Sequence, residues 1–361
     1  MTPPLAKKWD AYKIPNVDGE PKPAGIPLLA PGWETELDAL RFDPTAEPPE
    51  ERTIYRLGDA VIATPGNIVG FTAQAKAGKT ALLGAIIASS MQPAGDCLGV
   101  HSTNDSDGAV VVFDTEQSPR HFFDCITRAL YRAGKPAPGW LRAYHLKSKS
   151  VKQRRLWLAA ELQRAGEVCG SVHSSVIDGL GDLCKNTNDQ EEAVDLIQEL
   201  GELAEKHRTV ILCVLHENPG IADTGKGGRG HLGSELERKA ESNLRLQKDA
   251  AGVTTVFSER SRGAHIPKNR GPRFQWSDEK KMHVSVETVA AAKGSAIQDR
   301  QRDYAAEVFR DCPEGVGLTW AQVHERIEKT DDIKRSGARK RFDKLVVARV
   351  IWKSGEKYRL A

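Results

Sequence analysis

The stretch of sequence that decides the fold is Asn67-Ile-Val-Gly-Phe-Thr-Ala73-Gln-Ala-Lys-Ala-Gly78-Lys79-Thr80. Its first half is an apolar run of strand length, and the residues that follow Lys79 have the periodicity of a helix. A loop that joins a strand to a helix and ends in Gly-Lys-Thr is typical of a P-loop, whose backbone surrounds phosphate groups. The sequence therefore predicts a nucleotide site formed by Ala73, Gln74, Ala75, Lys76, Ala77, Gly78, Lys79, Thr80 and Ala81.

Several residue types in this loop have a physical reason to be there. Gly78 allows the backbone to curl so that its N–H groups point at phosphate oxygens, and the start of the helix adds a positive dipole. We expect Lys79 to reach the β- and γ-phosphates of ATP and the Thr80 hydroxyl to ligate Mg²⁺. The first position of the loop, which is glycine in many such loops, is Ala73 here.

Apolar runs of strand length alternate with helix-period segments from the P-loop onward. This order predicts an α/β fold with a mostly parallel sheet that helices cover on both faces. The predicted strands are 67–72, 109–114, 141–146, 174–178, 209–216, 243–248 and 253–260, and the predicted helices are 79–91, 118–133, 151–168 and 190–206.

The composition indicates a soluble globular protein. The chain has 361 residues, enough for two or three domains, of which 39% are hydrophobic and 28% charged. It contains no apolar run near the ~18 residues of a membrane helix, and its first residues form no hydrophobic signal segment. The six cysteines are scattered without zinc-ligand spacing, so we expect a cytoplasmic protein without a structural metal or a disulfide framework.

The N-terminal part is rich in proline, since 10 of the 19 prolines lie in the first 50 residues. Because proline fixes φ and cannot donate a backbone hydrogen bond, we interpret residues 1–53 as an extended arm rather than as part of the core. Two alternatives stay open. The arm is either a flexible tail or a segment that lies across a neighbouring subunit, anchored by Trp9 or Trp33.

The C-terminal part predicts a separate module that follows a nucleotide-binding domain at 54–286. Residues 287–300 are small and polar, and we interpret them as a linker. Residues 301–361 then contain helix signals at 301–310, 320–328 and 335–347, with a short hairpin at the end. Three helices followed by a hairpin have the order of a winged helix-turn-helix.

This module is strongly basic, although the net charge of the whole chain is only +3. Ten lysines and arginines stand against two acidic residues between 334 and 359, which indicates contact with nucleic acid. In a winged helix the third helix enters the major groove of duplex DNA and the wing contacts phosphates. The candidate DNA contacts are Arg335, Arg339 and Lys340 on the helix, and Lys353 and Lys357 at the wing. Winged helices also bind proteins, and that alternative stays open.

Polar residues at the ends of three predicted strands are candidates for catalysis. Asp178 ends the apolar run before it, where a Walker-B aspartate would complete the shell of Mg²⁺. Glu116 follows the strand that comes directly after the P-loop helix, and a carboxylate there can orient the attacking water. His216 closes the strand at 209–216 and could sense the γ-phosphate. For each residue, a solvated or internally satisfied strand end is the alternative.

These motifs, in this order, resemble those of the RecA-like motor ATPases, and especially the hexameric plasmid replicative helicases of the RepA type and related AAA ATPases of mobile elements. The resemblance covers about residues 54–286. It rests on the P-loop, Asp-Thr-Glu at 114–116, Ile-Asp at 177–178, Asn-Thr-Asn-Asp at 186–189, Leu-His-Glu-Asn-Pro at 215–219 and Arg-Gly-His-Leu-Gly-Ser at 229–234. It implies a RecA-like ATPase domain, a homo-oligomeric ring and motion on single-stranded DNA.

The resemblance also implies roles for basic residues late in the domain. Arg260 and Arg262 match the family's basic pair, and Arg262 would reach into the neighbouring subunit's site as an arginine finger. The loop after the sensor strand would grip single-stranded DNA through Lys226 and Arg229. One departure from the RepA pattern is that a single histidine, His216, stands where those helicases carry two.

The sequence therefore supports a first hypothesis of a DNA-dependent ATPase motor, with ATP between the subunits of a ring. A second hypothesis is an ATP-gated DNA-binding regulator with slow or vestigial hydrolysis, or a mobile-element ATPase without unwinding activity. A third is a recombinase that forms filaments.

Overall fold

The computed structural model describes residues 32–47, 50–93, 95–217, 230–313 and 316–361. The chain divides into two units, Met1–Glu50 and Glu51–Ala361. Most of the predicted N-terminal arm, including Trp9, lies outside the described residues. Within the arm, α1 (Trp33–Ala39) is a helix rather than extended chain. Its sequence Trp-Glu-Thr-Glu-Leu-Asp-Ala contains no proline, so the backbone donors that a helix needs are present.

The second unit contains the predicted alternation of strands and helices. Its first strands are β1 (Tyr55–Leu57), β2 (Ala60–Ala63), β3 (Asn67–Ala73), β4 (Val100–Ser102), β5 (Ala109–Asp114), β6 (Leu141–His145), β7 (Val172–Asp178), β8 (Val210–His216), β9 (Ser242–Lys248), β10 (Thr254–Ser261), β11 (Arg273–Ser277) and β12 (Met282–Val286). Its first helices are α2 (Lys79–Ser89), α3 (Pro119–Ala133), α4 (Val151–Cys169), α5 (Gln190–Lys206) and α6 (Gly230–Lys239).

A nine-stranded sheet in the order β12-β11-β10-β9-β3-β8-β7-β5-β6 forms the centre of this unit. The strands from β9 to β6 in this order are all parallel. The strands β10, β11 and β12 continue the sheet in antiparallel pairing. The mostly parallel sheet confirms the predicted α/β class. Strands β1, β2 and β4 form a separate small sheet.

Helices cover both faces of the large sheet, and β5 shows why. Val110 and Val112 belong to one core, which also contains residues of α2 and α3. Val111 and Phe113 belong to the other, with residues of α4, α5 and α6. Because consecutive side chains of a strand point to opposite faces, a strand that is buried on both faces reads as one continuous apolar run.

The C-terminal segment has its own core and its own small sheet. Its elements are α7 (Val289–Val308), β13 (Leu318–Thr319), α8 (Trp320–Asp331), α9 (Arg335–Val347), β14 (Ile351–Ser354) and β15 (Lys357–Leu360), and the antiparallel sheet has the order β13-β15-β14. The Thr319 side chain accepts a hydrogen bond from the Gln322 backbone, and the Gln322 side chain accepts one in return. The two residues thus form a capping box at the start of α8.

The interpretation of residues 287–300 as an irregular linker is wrong in its secondary structure. Helix α7 begins at Val289, twelve residues before the predicted helix start, and the Thr288 side chain caps it by accepting from the Ala291 backbone. The segment gave no amphipathic signal because it is almost entirely exposed between 291 and 300. Its alanine, lysine, glutamine and arginine residues are nevertheless good helix formers. The division into domains stays a prediction.

Among the residues described, we find no helix with the length and hydrophobicity needed to cross a bilayer.

Candidate functional site

The P-loop connects the buried end of β3 to the first turn of α2. Gly78 has a φ of +90°, a conformation that glycine adopts without strain. The first N–H groups of α2 have no partner within the helix and are free to bind an anion. Of the predicted nucleotide-binding residues, Ala73 ends β3, Gln74, Ala75 and Lys76 are exposed, Ala77 is buried, and Gly78, Lys79, Thr80 and Ala81 are half-buried at the start of α2.

The antiparallel strands support this loop from beneath. The Thr254 hydroxyl on β10 donates a hydrogen bond to the Ala77 carbonyl over 3.1 Å. A Cβ atom at Gly78 would lie only 2.8 Å from Cε2 of Phe274 on β11, whose side chain is fully buried. The sequence analysis missed both residues, because they lie far from the P-loop along the chain and belong to no motif. Thr254 and Phe274 thus hold the P-loop in place from a different part of the chain.

Three of the predicted residues form one hydrogen-bonded chain. The Lys79 ammonium lies 2.9 Å from Nδ1 of His216, and Nε2 of the same ring lies 2.8 Å from Oε2 of Glu116. An ammonium group only donates hydrogen bonds, so Nδ1 accepts and Nε2–H donates to the carboxylate. His216 is in register with Ala73 on the neighbouring strand β3, which brings the ring to the P-loop.

The hydrogen-bonded chain of Lys79, His216 and Glu116 keeps the Glu116 carboxyl charged. Burial would raise the pKa of its carboxyl, but the hydrogen bond from His216 and the charges of Lys79 and Lys147 outweigh that effect, and the pKa lies below its ordinary value. Burial lowers the pKa of Lys79, which Glu116 and Asp178 partly offset. The site therefore presents an ionised carboxylate at neutral pH.

Asp178 lies at the end of β7, and Gln117 connects it to the P-loop. The Gln117 amide donates to Oδ2 of Asp178 over 3.1 Å, and it lies 3.5 Å from the Thr80 hydroxyl. Burial, together with the neighbouring Asp114, raises the pKa of Asp178 to about 6. Gln117 is a third residue that the sequence did not point to, although its position directly after Glu116 is a signal that could have identified it.

The loop that carries Glu116 is locked onto the end of β7. The Thr115 hydroxyl donates to the carbonyls of Asp178 and Gly179, each over 3.1 Å. Gly179 has a φ of +101°, and a Cβ atom there would lie 2.2 Å from Oγ1 of Thr115 and 2.8 Å from Cγ of Glu116. Only glycine permits this close approach. The two candidate carboxylates are thereby held side by side.

The residues around Thr80 fit a magnesium ion. Mg²⁺ is usually held by one or two protein groups together with water and substrate phosphates. Thr80 and Asp178 are such a pair, and among the described residues the buried Asp178 carboxylate accepts a side-chain hydrogen bond only from the Gln117 amide. The described residues contain no group of three or more His, Cys, Asp or Glu side chains that could hold a metal by themselves. A metal at this site would therefore depend on the nucleotide.

Several of these residues, namely Lys79, Thr80, Glu116, Gln117, Asp178 and His216, line one cleft of about 380 Å³. Its lining includes the P-loop residues Ala75, Lys76, Gly78, Lys79, Thr80 and Ala81, and Glu116, Asp178 and His216 at the carboxyl ends of β5, β7 and β8. The lining continues past Gly84 to Cys125, Arg128, Arg132, Lys248, Met282 and His283. The cleft lies at the edge of a parallel sheet where α/β proteins bind ligands.

The predicted arginine pair lies elsewhere. Neither Arg260 nor Arg262 is among the described residues that line the cleft. Arg260 is 74% exposed in its side chain and lies 4.0 Å from a carboxylate oxygen of Glu237. Arg262 donates to the Lys239 carbonyl over 3.2 Å. In this structure the pair does not line the P-loop cleft of its own chain.

The predicted DNA loop cannot be placed, since Lys226 and Arg229 lie outside the described residues. The described chain stops at Glu217, directly after His216, and resumes at α6. A second, polar cleft of about 340 Å³ lies beside this gap, and Glu116 and His216 line it as well. Its other lining residues include Lys185, Asn186, Thr187 and Asn188.

The basic residues of the C-terminal segment lie at its surface. Arg335, Arg339 and Lys340 on α9 and Lys353 on β14 are exposed, and Lys357 on β15 is half-buried. The Arg335 guanidinium lies 5.8 Å from the ring centre of Trp320, which is itself 39% exposed. The helix and the hairpin therefore present cations and aromatic surface to solvent.

A buried arginine at the centre of the sheet also escaped the sequence analysis. Arg245 on β9 makes two hydrogen bonds to the carboxylate of Glu217, of 2.7 and 3.0 Å, and a third of 2.9 Å to Glu259. It is only 9% exposed. In the sequence it is one polar residue between Leu244 and Leu246 in an alternating run, which does not reveal that both faces of β9 are buried there. The cluster holds the start of the segment that follows β8.

Comparison with known proteins places the chain in a family. No curated protein matches it. Among matching solved structures, one described as the ATPase domain of G40p is 13% identical, with 61% of this chain and 85% of that chain covered and a TM-score of 0.44. The family model described as "AAA domain" matches residues 35–220, from α1 to just beyond β8, which is more than half of the chain. The chain thus belongs to the AAA domain family, and the P-loop cleft described above lies within the matched region.

Proposed function

We propose that this chain is a DNA-dependent ATPase motor, namely a ring-forming replicative helicase of the RepA type that moves on single-stranded DNA. The observation that carries the proposal is that Lys79, Thr80, Glu116, Asp178 and His216 all line one cleft at the carboxyl ends of parallel strands. These are the groups that phosphoryl transfer needs: a phosphate cradle, ligands for a metal and a carboxylate for the attacking water.

Binding of the triphosphate would break the hydrogen bond between Lys79 and His216. The Lys79 ammonium would leave Nδ1 of His216 for the β- and γ-phosphates. Nδ1 would then lack the donor that fixes the tautomer of the ring, and the hydrogen bond from Nε2–H to Glu116 would change with it. His216 is therefore suited to act as a sensor of the γ-phosphate, as the family resemblance implies.

Thr80 and Asp178 would hold Mg²⁺ together with the phosphates. The bound ion would neutralise charge on the phosphate oxygens. Glu116, ionised at neutral pH because its pKa is lowered, would orient and deprotonate the attacking water. Gln117 would keep the Asp178 carboxylate directed at Thr80 through its amide.

Hydrolysis in a ring would be completed by a neighbouring subunit. Arg262, with Arg260 beside it, would reach the neighbour's cleft and stabilise the charge that develops in the transition state. The exposure of Arg260 and the position of both residues outside their own cleft support a role between subunits. In this arrangement each site is incomplete until two subunits meet.

Nucleic acid would bind at the second polar cleft, which lies on the other side of Glu116 and His216 from the nucleotide. Glu116 and His216 line both the nucleotide cleft and the second polar cleft. Lys226 and Arg229 belong to the segment 218–229, which begins two residues after His216. A change in the hydrogen bonds of His216 is therefore well placed to move a loop that grips single-stranded DNA.

The C-terminal segment would act as a winged helix on duplex DNA. The order α7-β13-α8-α9-β14-β15 and the exposed cations of α9 support this assignment. Arg335, Arg339 and Lys340 would approach the major groove, and Lys353 would contact phosphates from the wing. Changing the exposed pair Arg339 and Lys340 to alanine should reduce the affinity for duplex DNA and flatten its dependence on salt.

The decisive experiment measures ATP hydrolysis with and without single-stranded DNA. The wild-type protein should hydrolyse ATP faster with DNA, and Lys79→Ala should abolish turnover. Lys152→Ala, which removes an exposed lysine of α4, is the matched control and should retain the wild-type rate. Arg262→Ala should bind ATP normally and hydrolyse it slowly. Wild-type turnover in the Lys79 variant would refute the proposal.

The basic C-terminal segment also favours a second function, an ATP-gated DNA-binding regulator. Such a protein would bind duplex DNA through α9 and would hydrolyse ATP slowly. A forked DNA substrate separates the two functions, because a helicase unwinds it in an ATP-dependent manner and a regulator does not. Electron microscopy of the ATP-bound protein distinguishes closed rings from the open filaments of a recombinase.

A further inference from the structure

The nucleotide cleft is longer than the phosphate site. Beyond Thr80, its lining continues past Gly84 on α2 to Arg128 on α3 and to Lys248 and His283 on the antiparallel part of the sheet. None of these residues has a part in the phosphate chemistry proposed above. Because the P-loop surrounds only the phosphates, this outer half of the cleft is available to the rest of the ligand.

On one side of the outer half, the backbone of α2 lines the cleft because Gly84 has no side chain. Gly84 lies on α2, and a Cβ atom built there would have no heavy atom within 4 Å. The helix itself does not need glycine at this position, since alanine is the better helix former by about 1 kcal/mol. A residue without a side chain leaves room for a flat group to lie against the helix.

One wall of the outer half is a fixed imidazole ring. The ring of His283 on β12 meets the rings of Phe274 and Trp276 edge-on, with centroids 5.6 and 5.5 Å apart. Phe274 is immobilised against Gly78 of the P-loop, and the Arg132 guanidinium donates to the His283 carbonyl over 2.6 Å. The orientation of the ring is therefore set by the same contacts that support the P-loop.

The charge around this ring suits an uncharged aromatic partner. Burial lowers the pKa of His283, and the cations Lys248, Arg132 and Arg128 lower it further, so the imidazole is neutral at neutral pH. Arg132 is already engaged by the carbonyls of Asp96 and His283. The side chains of Arg128 and Lys248 are exposed beside the cleft and can donate to a ligand.

We propose that the outer half of the cleft is a nucleoside subsite, in which the base of the nucleoside triphosphate stacks on His283 over the open surface of α2 at Gly84. Arg128 and Lys248 donate hydrogen bonds to oxygen and nitrogen acceptors of the sugar and base. His283 is thus a binding residue that recognises the nucleoside and not the phosphates. This inference rests on the proposed ATP site and specifies how the ligand lies in it.

Calorimetry with two ligands of different composition tests the subsite. ATP and inorganic tripolyphosphate, each with Mg²⁺, share the phosphate chain, but only ATP carries a nucleoside. His283→Ala should weaken ATP binding by about 5- to 100-fold, the range of base stacking on an aromatic residue, and leave tripolyphosphate binding unchanged. His283→Phe keeps a flat ring and should restore most of the affinity for ATP. His101→Ala, at an exposed histidine of β4, is the matched control and should change neither affinity.

The outcomes separate this subsite from the ATP site itself. Unchanged ATP affinity in His283→Ala overturns the subsite. An equal loss for both ligands also overturns it, because His283 would then act only by supporting the P-loop. If the wild-type protein binds neither ligand, the proposed ATPase function is refuted, and the assignment of His283 is refuted with it.

Discussion

Replacing Asp178 with asparagine should make the nucleotide-free protein more stable at neutral pH and at the same time abolish ATP hydrolysis. The Asp178 side chain is almost fully buried, and one amide of Gln117 is the only side-chain hydrogen bond to it among the described residues. Asparagine has nearly the same shape and can still accept from that amide, but it carries no charge. The variant therefore removes the desolvation cost of a buried carboxylate, which the charge of Lys79 offsets only in part.

The magnitude follows from the pKa of the carboxyl, which is 3.8 in the unfolded reference and about 6 in the folded protein. Between these values the folded state binds more protons than the unfolded state, so the wild type loses stability as the pH rises from about 4 to about 6. One pKa unit is worth about 1.4 kcal/mol, which makes the full loss about 3 kcal/mol. Asp178→Asn should therefore be no more stable than wild type near pH 4 and more stable by up to about 3 kcal/mol above pH 6.

Urea unfolding of both proteins at pH 4, 5, 6 and 7.5, followed by circular dichroism, measures this difference. Asp195→Asn removes an exposed carboxylate of α5 and should change the free energy of unfolding by no more than about 0.5 kcal/mol at any of these pH values. ATPase assays at pH 7.5 should find no turnover in Asp178→Asn. A variant that is less stable than wild type at pH 7.5 would refute the reasoning, because the buried charge would then be satisfied in the folded protein.

Three further changes test the positions of neighbouring residues. Gly179→Ala places a Cβ atom 2.2 Å from a threonine oxygen at a φ of +101°. We expect a loss of about 2–4 kcal/mol in urea unfolding and about 100-fold in kcat, whereas Gly201→Ala, with open space around it, should be neutral or stabilising. His216→Phe removes the hydrogen bond that lowers the pKa of Glu116, so the acid limb of the pH profile of kcat should move to higher pH. Arg245→Met leaves two carboxylates without their cation and should cost about 3–5 kcal/mol in thermal or urea unfolding.

The central sheet could be predicted from the sequence because its signals are local. A strand that is buried on both faces, such as β5, gives an uninterrupted apolar run with sharp ends. The predicted bounds of this strand and of α5 agree with the structure. The carboxyl end of each strand is then also fixed, which is why Glu116, Asp178 and His216 could be predicted from the sequence as residues at strand ends.

Contacts between distant segments could not be predicted in the same way. Strands β11 and β12 gave no clear signal, since their exposed edge mixes polar and aromatic residues. Phe274 and His283, which support the P-loop and extend its cleft, lie on these two strands. Their role depends on the sheet order β12-β11-β10-β9-β3, which brings residues nearly 200 positions apart beside each other. No spacing along the chain encodes that order.

Three carboxylates meet at the ends of β5 and β7, and their partners distinguish their roles. The Asp114 carboxylate accepts the backbone N–H groups of Glu116 and Gln117, so it shapes the loop. Glu116 is paired with His216 and has a lowered pKa, so it is ionised and can accept a hydrogen bond from water. Asp178 has a raised pKa because burial and the neighbouring Asp114 outweigh the Gln117 amide and the charge of Lys79, so its charge is the least compensated. Of the three it gains most from a cation, and this imbalance is the strongest physical reason to place the Mg²⁺ of a bound nucleotide between Asp178 and Thr80.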